Sequence, residues 1–329
     1  MGFSPEKNKI YMNNIEIPTA PVLLITFNRP DYTIQVFEKI RQAKVKKLYI
    51  ANDGPREGNM DDQKAREEIK KIIDSIDWDC DVHTLFQEKN LGCGWGPANA
   101  ITWAFKNEDR LIILEDDCVP ALSFFDYCNQ LLEKYKDDTR VWLMSGRSHQ
   151  QGSKFFDDKD YIFSHYGHSW GWATWKRCWK YFDMRMEDLP KFLKIGGALN
   201  VLATEEQGKL YNKMYEKLFH DRENLQTHAW DFQFGYAILK NGGLSIVPSK
   251  NLIHNIGAIG THSKSETGVH KMGASEDYKI KREPKFVIAE REYEILHFNT
   301  HIRKIFGFMP MYKRFFRKIK KLWKRLWIK

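Results

Sequence analysis

The chain lacks any run of about 18 apolar residues that could cross a bilayer, and Met1 to Ile10 hold no apolar stretch of signal-peptide type. Cysteine is scarce. The five present (Cys80, Cys93, Cys118, Cys128, Cys178) are an odd number, and no pair has metal-ligand spacing. That argues against a disulfide framework or a cysteine zinc site, and it leads to the expectation of free thiols in a reducing cytoplasm. There is no internal repeat and no long disordered linker. A G-x-G-x-x-G fingerprint after the first apolar strand is also absent, so a dinucleotide site of the usual kind is not supported.

Charge is unevenly placed. The sequence has 52 Lys and Arg against 43 Asp and Glu, a net of +9. Eleven of those basic residues lie in residues 303–329, which hold no acid; the other 302 residues carry 41 basic and 43 acidic side chains, a net of −2. The body is nearly neutral, and the basicity belongs to a tail.

Apolar runs and turn signals alternate through the first half. Pro21 to Phe27 is a continuous apolar run, as a buried parallel strand requires, and Asn28-Arg29-Pro30 turns the chain into a helical pattern over 31–43. Lys47 to Ala51 is a second strand, closed by Asn52-Asp53-Gly54-Pro55. Residues 61–76 read as a charged amphipathic helix and Asp81 to Phe86 as a third strand. A glycine-rich loop over 90–97 and a helix over 98–107 then lead to the next strand. This order predicts an α/β fold with a mostly parallel central sheet flanked by helices. Further strands are expected over 141–146 and 244–247, helices over 205–220 and 231–240, and a loop from Asn251 to Ser265.

The most informative segment is Leu111-Ile112-Ile113-Leu114-Glu115-Asp116-Asp117. Four aliphatics make a buried strand, and three carboxylates follow at its C-terminal end, where α/β sheets bind ligands. Acids there can hold a hard divalent cation, which with only one or two carboxylates completes its shell from substrate phosphates. They can equally mark a solvated turn, so the strand alone leaves both readings open.

Other residues carry the same ambiguity. Asp231 opens a helical pattern, where an acid is stabilised by the helix dipole whatever its chemistry. Asp53 sits in a turn that favours Asp for backbone reasons. Trp170, Trp172, Trp175 and Trp179 offer rings on which sugar faces stack; Trp175 and Trp179 are at helical spacing and are expected in the core, Trp170 and Trp172 in the site.

Together these segments resemble the GT-A glycosyltransferases, in the branch of N-acetylglucosaminyltransferase I and its bacterial relatives in polysaccharide biosynthesis. The resemblance covers roughly residues 20–262. It rests on Asn28-Arg29-Pro30, Asn52-Asp53-Gly54, Glu115-Asp116-Asp117, Trp170-Gly171-Trp172 and Trp230-Asp231 in that order, with Asn255-Ile256-Gly257 and Gly260-Thr261-His262 after them. It implies a GT-A fold and a nucleotide-sugar donor, UDP-linked and with UDP-N-acetylglucosamine as the example. Asp117 would contact manganese or magnesium, Glu115 and Asp116 would lie on the sugar-ribose side, Asp53 would recognise the base, and Arg29 would sit near the nucleotide. Asp231 would be the base of an inverting reaction. His254 or His262, with His254 favoured, would be a second metal ligand, and the 255–265 loop a lid.

The expected organisation is an extension over 1–19, a catalytic domain over 20–265, a C-terminal extension over 266–302 and a tail over 303–329. In the tail, Tyr312, Phe315, Phe316, Ile319, Leu322, Trp323, Leu326 and Trp327 fall broadly on one helical face among Lys and Arg. A basic cluster suits nucleic acid electrostatically, but aromatics confined to one face favour an anionic membrane surface. No nucleic-acid partner is therefore expected. The whole predicts a peripheral enzyme on the inner face of the cell membrane, acting on a glycan or lipid-linked oligosaccharide acceptor. Its rivals are a sugar-phosphate nucleotidyltransferase, which wants a basic glycine-rich loop after the first strand, and a non-catalytic binding protein on a transferase scaffold.

Overall fold

In the computed structural model, described for residues 11–12, 15–16, 19–224, 230–257 and 272–303, one mixed sheet organises the chain. Two short N-terminal strands, β1 (Tyr11–Met12) and β2 (Ile15–Glu16), pair antiparallel. Next come β3 (Val22–Thr26), α1 (Pro30–Ala43), β4 (Lys47–Asn52), α2 (Met60–Asp74), β5 (Asp81–Phe86), α3 (Gly92–Ala104) and β6 (Arg110–Glu115). The middle of the chain supplies β7 (Cys118–Pro120), α4 (Leu122–Lys134), β8 (Val141–Ser145), β9 (Tyr161–Ser164), β10 (Trp172–Trp175), α5 (Lys176–Trp179), α6 (Leu189–Lys194) and α7 (Glu205–His220). After these come α8 (Asp231–Lys240), β11 (Leu244–Pro248), β12 (Ile253–Asn255) and α9 (Arg291–His297).

The eight-stranded sheet has the order β5-β4-β3-β6-β10-β8-β11-β9. Strands β5, β4, β3 and β6 are mutually parallel, β10 runs against both β6 and β8, and β11 is parallel to β8 with β9 against it. Six of the eight strands therefore share one direction, and the expected α/β class with a mostly parallel sheet stands.

Local sequence explains the main elements. Every residue of β3 is buried, and so are Leu111 to Leu114 of β6, as strands covered on both faces must be. Helix α1 starts with Pro30 in its first turn and buries Val36, Phe37 and Ile40 on one face. Asn59 caps α2 by accepting from the amides of Asp61 and Asp62, and Thr204 with Gln207 forms a capping box on α7.

Two expectations need correction. Residues 92–97 are not a loop but the start of α3, six residues earlier than predicted. The aromatic segment His168 to Trp175, which by sequence leads into a helix near Cys178 to Tyr181, contains a central strand, β10. The C-terminal extension is also part of the same body. Tyr278 is buried in the main core, Arg282 pairs with Asp160, and Glu294 of α9 accepts from Ser164 and from the His165 amide. No helix among the described residues is long and apolar enough to cross a membrane.

Candidate functional site

Three strand ends converge on one cavity of about 1290 Å³. Thr26 ends β3 with Phe27 to Arg29 after it, Asn52 ends β4 with Asp53 after it, and Glu115 ends β6 with Asp116 and Asp117 after it; all line it. Parallel pairing of β4, β3 and β6 puts these ends side by side, so the site follows from sheet topology. Trp170, Trp230, Asp231, Asn255 and Gly257 complete this part of the wall.

Arg29 is the charge hub. Its Nε donates to Asp116 Oδ2 at 3.2 Å, its terminal nitrogens pair with Asp116 and, at 3.0 Å, with Asp117 Oδ2. Burial alone would lower the guanidinium's proton affinity, but Asp116 and Asp117 outweigh it and hold the cation firmly. One arginine does not neutralise the cluster. Burial pushes Asp116 up to about 6 despite Arg29, with Asp117 adding to the rise. Glu115 is raised well above the ordinary carboxylate range by burial first, then by Asp117, Asp116 and Asp231. A site with this surplus of negative charge favours a cationic or metal-bound partner.

Asp117 is also held from the other side. Asn255 donates to its Oδ1 at 3.3 Å, the Ile256 amide donates to its backbone carbonyl at 2.8 Å, and a Cβ on Gly257 would overlap its carboxylate. Glycine is needed there because the chain passes against the acid. The pairing of β12 with β7 sets this approach, with Asn255 opposite Cys118.

Asp53 has a structural commitment that the sequence does not reveal. Its two oxygens accept from the amides of Gly54, Leu91 and Gly92 and from Asn90 Nδ2, at 2.9–3.2 Å. The carboxylate thus caps the start of α3, which is why a glycine-rich stretch is helical there. Burial still raises its pKa in spite of those amides. Asp62 does similar work behind the cavity wall. It accepts from Asn28 Nδ2 and, twice, from the Arg56 guanidinium, all at 2.7 Å, and both donors line the cavity.

These bonds, Arg56 first, hold Asp62 at about 2. A depressed carboxylate contributes stability that is full above its unfolded pKa of about 3.9 and lost as pH falls toward the folded value. With Arg56 half exposed, we expect about 1–2 kcal/mol from it. Urea unfolding of Asp62→Asn should lie below wild type by that amount at pH 7 and converge with it by about pH 2.

Of the other expected site residues, Asp231 lines the cavity at the start of α8. Its Oδ1 accepts from the Phe232 amide at 3.0 Å and its Oδ2 from Ser169 Oγ at 3.4 Å. Trp170 also lines it, with the Arg147 guanidinium 5.2 Å from its ring centroid. Two expectations fail on position. Trp172 is fully buried in central strand β10 and does not reach the cavity; it stacks behind Trp230, whose ring does, at 5.3 Å. His254 is not on the cavity wall, because alternation along β12 turns its neighbour Asn255 toward Asp117 and His254 to the opposite face. His262, most of the proposed lid and residues 304–329 lie outside the described residues.

A hard cation fits the acidic corner in one respect, its oxygen donors. Among the described residues no three His, Cys, Asp or Glu side chains surround one point. The described residues could therefore give such an ion one or two carboxylates, with Asp117 more exposed than Asp116, and phosphate and water would supply the rest. Sequence reasoning missed Asn255 and Trp230 as wall residues. It also missed four histidines, His149, His168, His297 and His301, that line another part of the same cavity.

No family model matches the chain, and no curated protein sequence matches it. Among solved structures it is similar to a UDP-glucose pyrophosphorylase complexed with UDP-glucose, at 8% identity and TM-score 0.30 over 50% of this chain and 79% of that one. It is similar to the 4-diphosphocytidyl-2C-methyl-D-erythritol synthase of Anaerococcus prevotii at 11% identity and TM-score 0.30, over 63% and 82% of the two chains. The apo glycosyltransferase GlyE of Streptococcus pneumoniae gives 13% identity and TM-score 0.31, over 69% of this chain and 45% of that one. At these scores the likeness is loose, and the functional reading rests on the site itself.

Proposed function

We propose that the protein is an inverting, metal-dependent glycosyltransferase that moves a sugar from a nucleotide diphosphate, with UDP the expected nucleotide, onto a glycan or lipid-linked oligosaccharide. The observation that carries this reading is the shared cavity wall of the β6 carboxylates and Asp231, from segments more than a hundred residues apart. Sugar transfer needs two separate services: charge neutralisation of the departing diphosphate and proton removal from the attacking hydroxyl.

In this reading Asp117 holds manganese or magnesium, which when bound would supply Lewis-acid stabilisation of the diphosphate. Arg29, fixed by Asp116, presents positive charge beside it. Asp231 is the general base: it takes the proton from the acceptor hydroxyl as that oxygen attacks the anomeric carbon. Its bonds from Ser169 and from its own helix N-terminus set its orientation. Trp170 and Trp230 flank the space for the sugar. Base recognition by Asp53 enters only through its edge of the wall, since its oxygens already serve the α3 amides.

The nucleotidyltransferase alternative is disfavoured because β3 leads straight into α1, with Arg29 as the one basic residue of that turn and already paired with two acids. The basic amphipathic pattern of residues 303–329 supports attachment to an anionic membrane surface, where lipid-linked acceptors reside. A UDP-release assay over a panel of UDP-sugars with manganese tests the reading. We expect slow donor hydrolysis from one or a few sugars, abolished by Asp117→Ala; pyrophosphate-dependent conversion of the UDP-sugar to UTP and sugar 1-phosphate instead would contradict it.

A further inference from the structure

The second part of the cavity wall has a different chemistry from the acidic corner. His149 follows β8, His168 precedes β10, and His297 and His301 come from α9 and the single π-turn Phe298–Ile302 that continues it. Their rings form one cluster: His149 lies 3.8 Å from His301 and 4.3 Å from His168, and the other four centroid separations are 5.0–5.9 Å. Several polar atoms here are buried without a hydrogen-bond partner, namely Tyr166 Oη, His168 Nε2 and both ring nitrogens of the fully buried His297. All three side chains line the cavity. Such orphaned groups in a native interior call for water or a ligand.

What ligand would satisfy them follows from their charge state. Burial, then neighbouring imidazoles, holds His149 and His168 well below the ordinary histidine range, and His297 is pushed down to about 3 by burial and His301. A neutral imidazole offers one donor and one acceptor, and a tyrosine hydroxyl does the same. That is the pattern of vicinal sugar hydroxyls. Tyr166 and Tyr211, 5.6 Å apart, supply ring faces for the apolar side of a pyranose. Asp231 on the same cavity would repel an anionic group. A metal held by the imidazoles is disfavoured, because no three ligating side chains among the described residues surround one point.

We infer that the His149, His168, His297 and His301 wall is the acceptor subsite, selecting an uncharged sugar through its hydroxyls, an inference that rests on the glycosyltransferase reading. Residues 291–303 are then a specificity element rather than an appendage.

Saturation-transfer NMR on the full chain with UDP and magnesium tests it, using the methyl glycosides of glucose, galactose, mannose, N-acetylglucosamine and glucuronic acid as probes. We expect transfer to at least one neutral glycoside and none to the glucuronide. The neutral signal should fall at least fivefold in His297→Leu and in the milder His301→Gln, with the UDP signals unchanged. Binding of no neutral glycoside, preference for the glucuronide, or signals undiminished in both variants would overturn the inference while UDP binding left the transferase reading intact. A tightly bound zinc ion lost in His297→Leu would overturn it too. Absence of UDP signals in wild type would sink the transferase reading and this inference with it.

Discussion

Asp231→Asn is expected to lower sugar transfer by about 10²–10⁴-fold, the usual contribution of a positioned general base, with little change in nucleotide binding. Asparagine keeps one oxygen to accept from the Phe232 amide and turns toward Ser169 Oγ an NH2 that can donate to it, so the start of α8 should survive. The discriminating readout is a split. The rate constant for transfer should collapse while the dissociation constant for UDP, measured calorimetrically, stays within about twofold; a base lost from the reaction touches the first and not the second. If Asp231 is only a helix-end acid, the substitution costs about 0.3–1 kcal/mol of stability and leaves the rate alone. Full activity in the folded variant would remove the catalytic role.

Trp172→Ala should be the most destabilising single truncation near the site. Its fully buried indole stacks on Trp230 and packs against Trp179 and Phe234 from the middle of the sheet. A buried tryptophan truncated to alanine costs about 3–5 kcal/mol, a fall in Tm on the order of 10 °C for a chain this size. Trp170→Ala, at the half-buried cavity wall, should cost clearly less and act mainly on ligand affinity, since it uncovers the Arg147 guanidinium. Thermal denaturation of the two variants side by side checks the assignment of one ring to the core and the other to the wall. Equal and small shifts would contradict it.

These two tryptophans show what the sequence could and could not tell. The strands β3, β4 and β6 were legible because both-face burial gives unbroken apolar runs, and the acids that end them stood out against those runs. The helix expected over 205–220 matches α7, whose start the Thr204–Gln207 capping box fixes. Strand β10 was not legible: it is only four residues long, interrupted by Thr174, and does not stand out from the tryptophan-rich segment around it. The early start of α3 depends on Asp53, nearly forty residues away, and local propensity argues against helix in a glycine-rich stretch.

Among the site residues, Arg29, Asp53, Asp117 and their neighbours stand on the cavity wall because strand ends place them there. The choice of His254 over Asn255 was decided by strand parity, which becomes visible only once β12 is seen to pair with β7. The histidine cluster was dispersed through the chain; only the four-residue spacing of His297 and His301 hinted at a shared face.

The most direct test of the central claim is the thermal stability of the purified chain with a panel of nucleoside diphosphates, with and without manganese. The account predicts a rise with UDP that requires the metal and disappears in Asp117→Ala, as linkage demands of a ligand held through that acid. No rise with any nucleotide, or a rise indifferent to both manganese and Asp117, would contradict it.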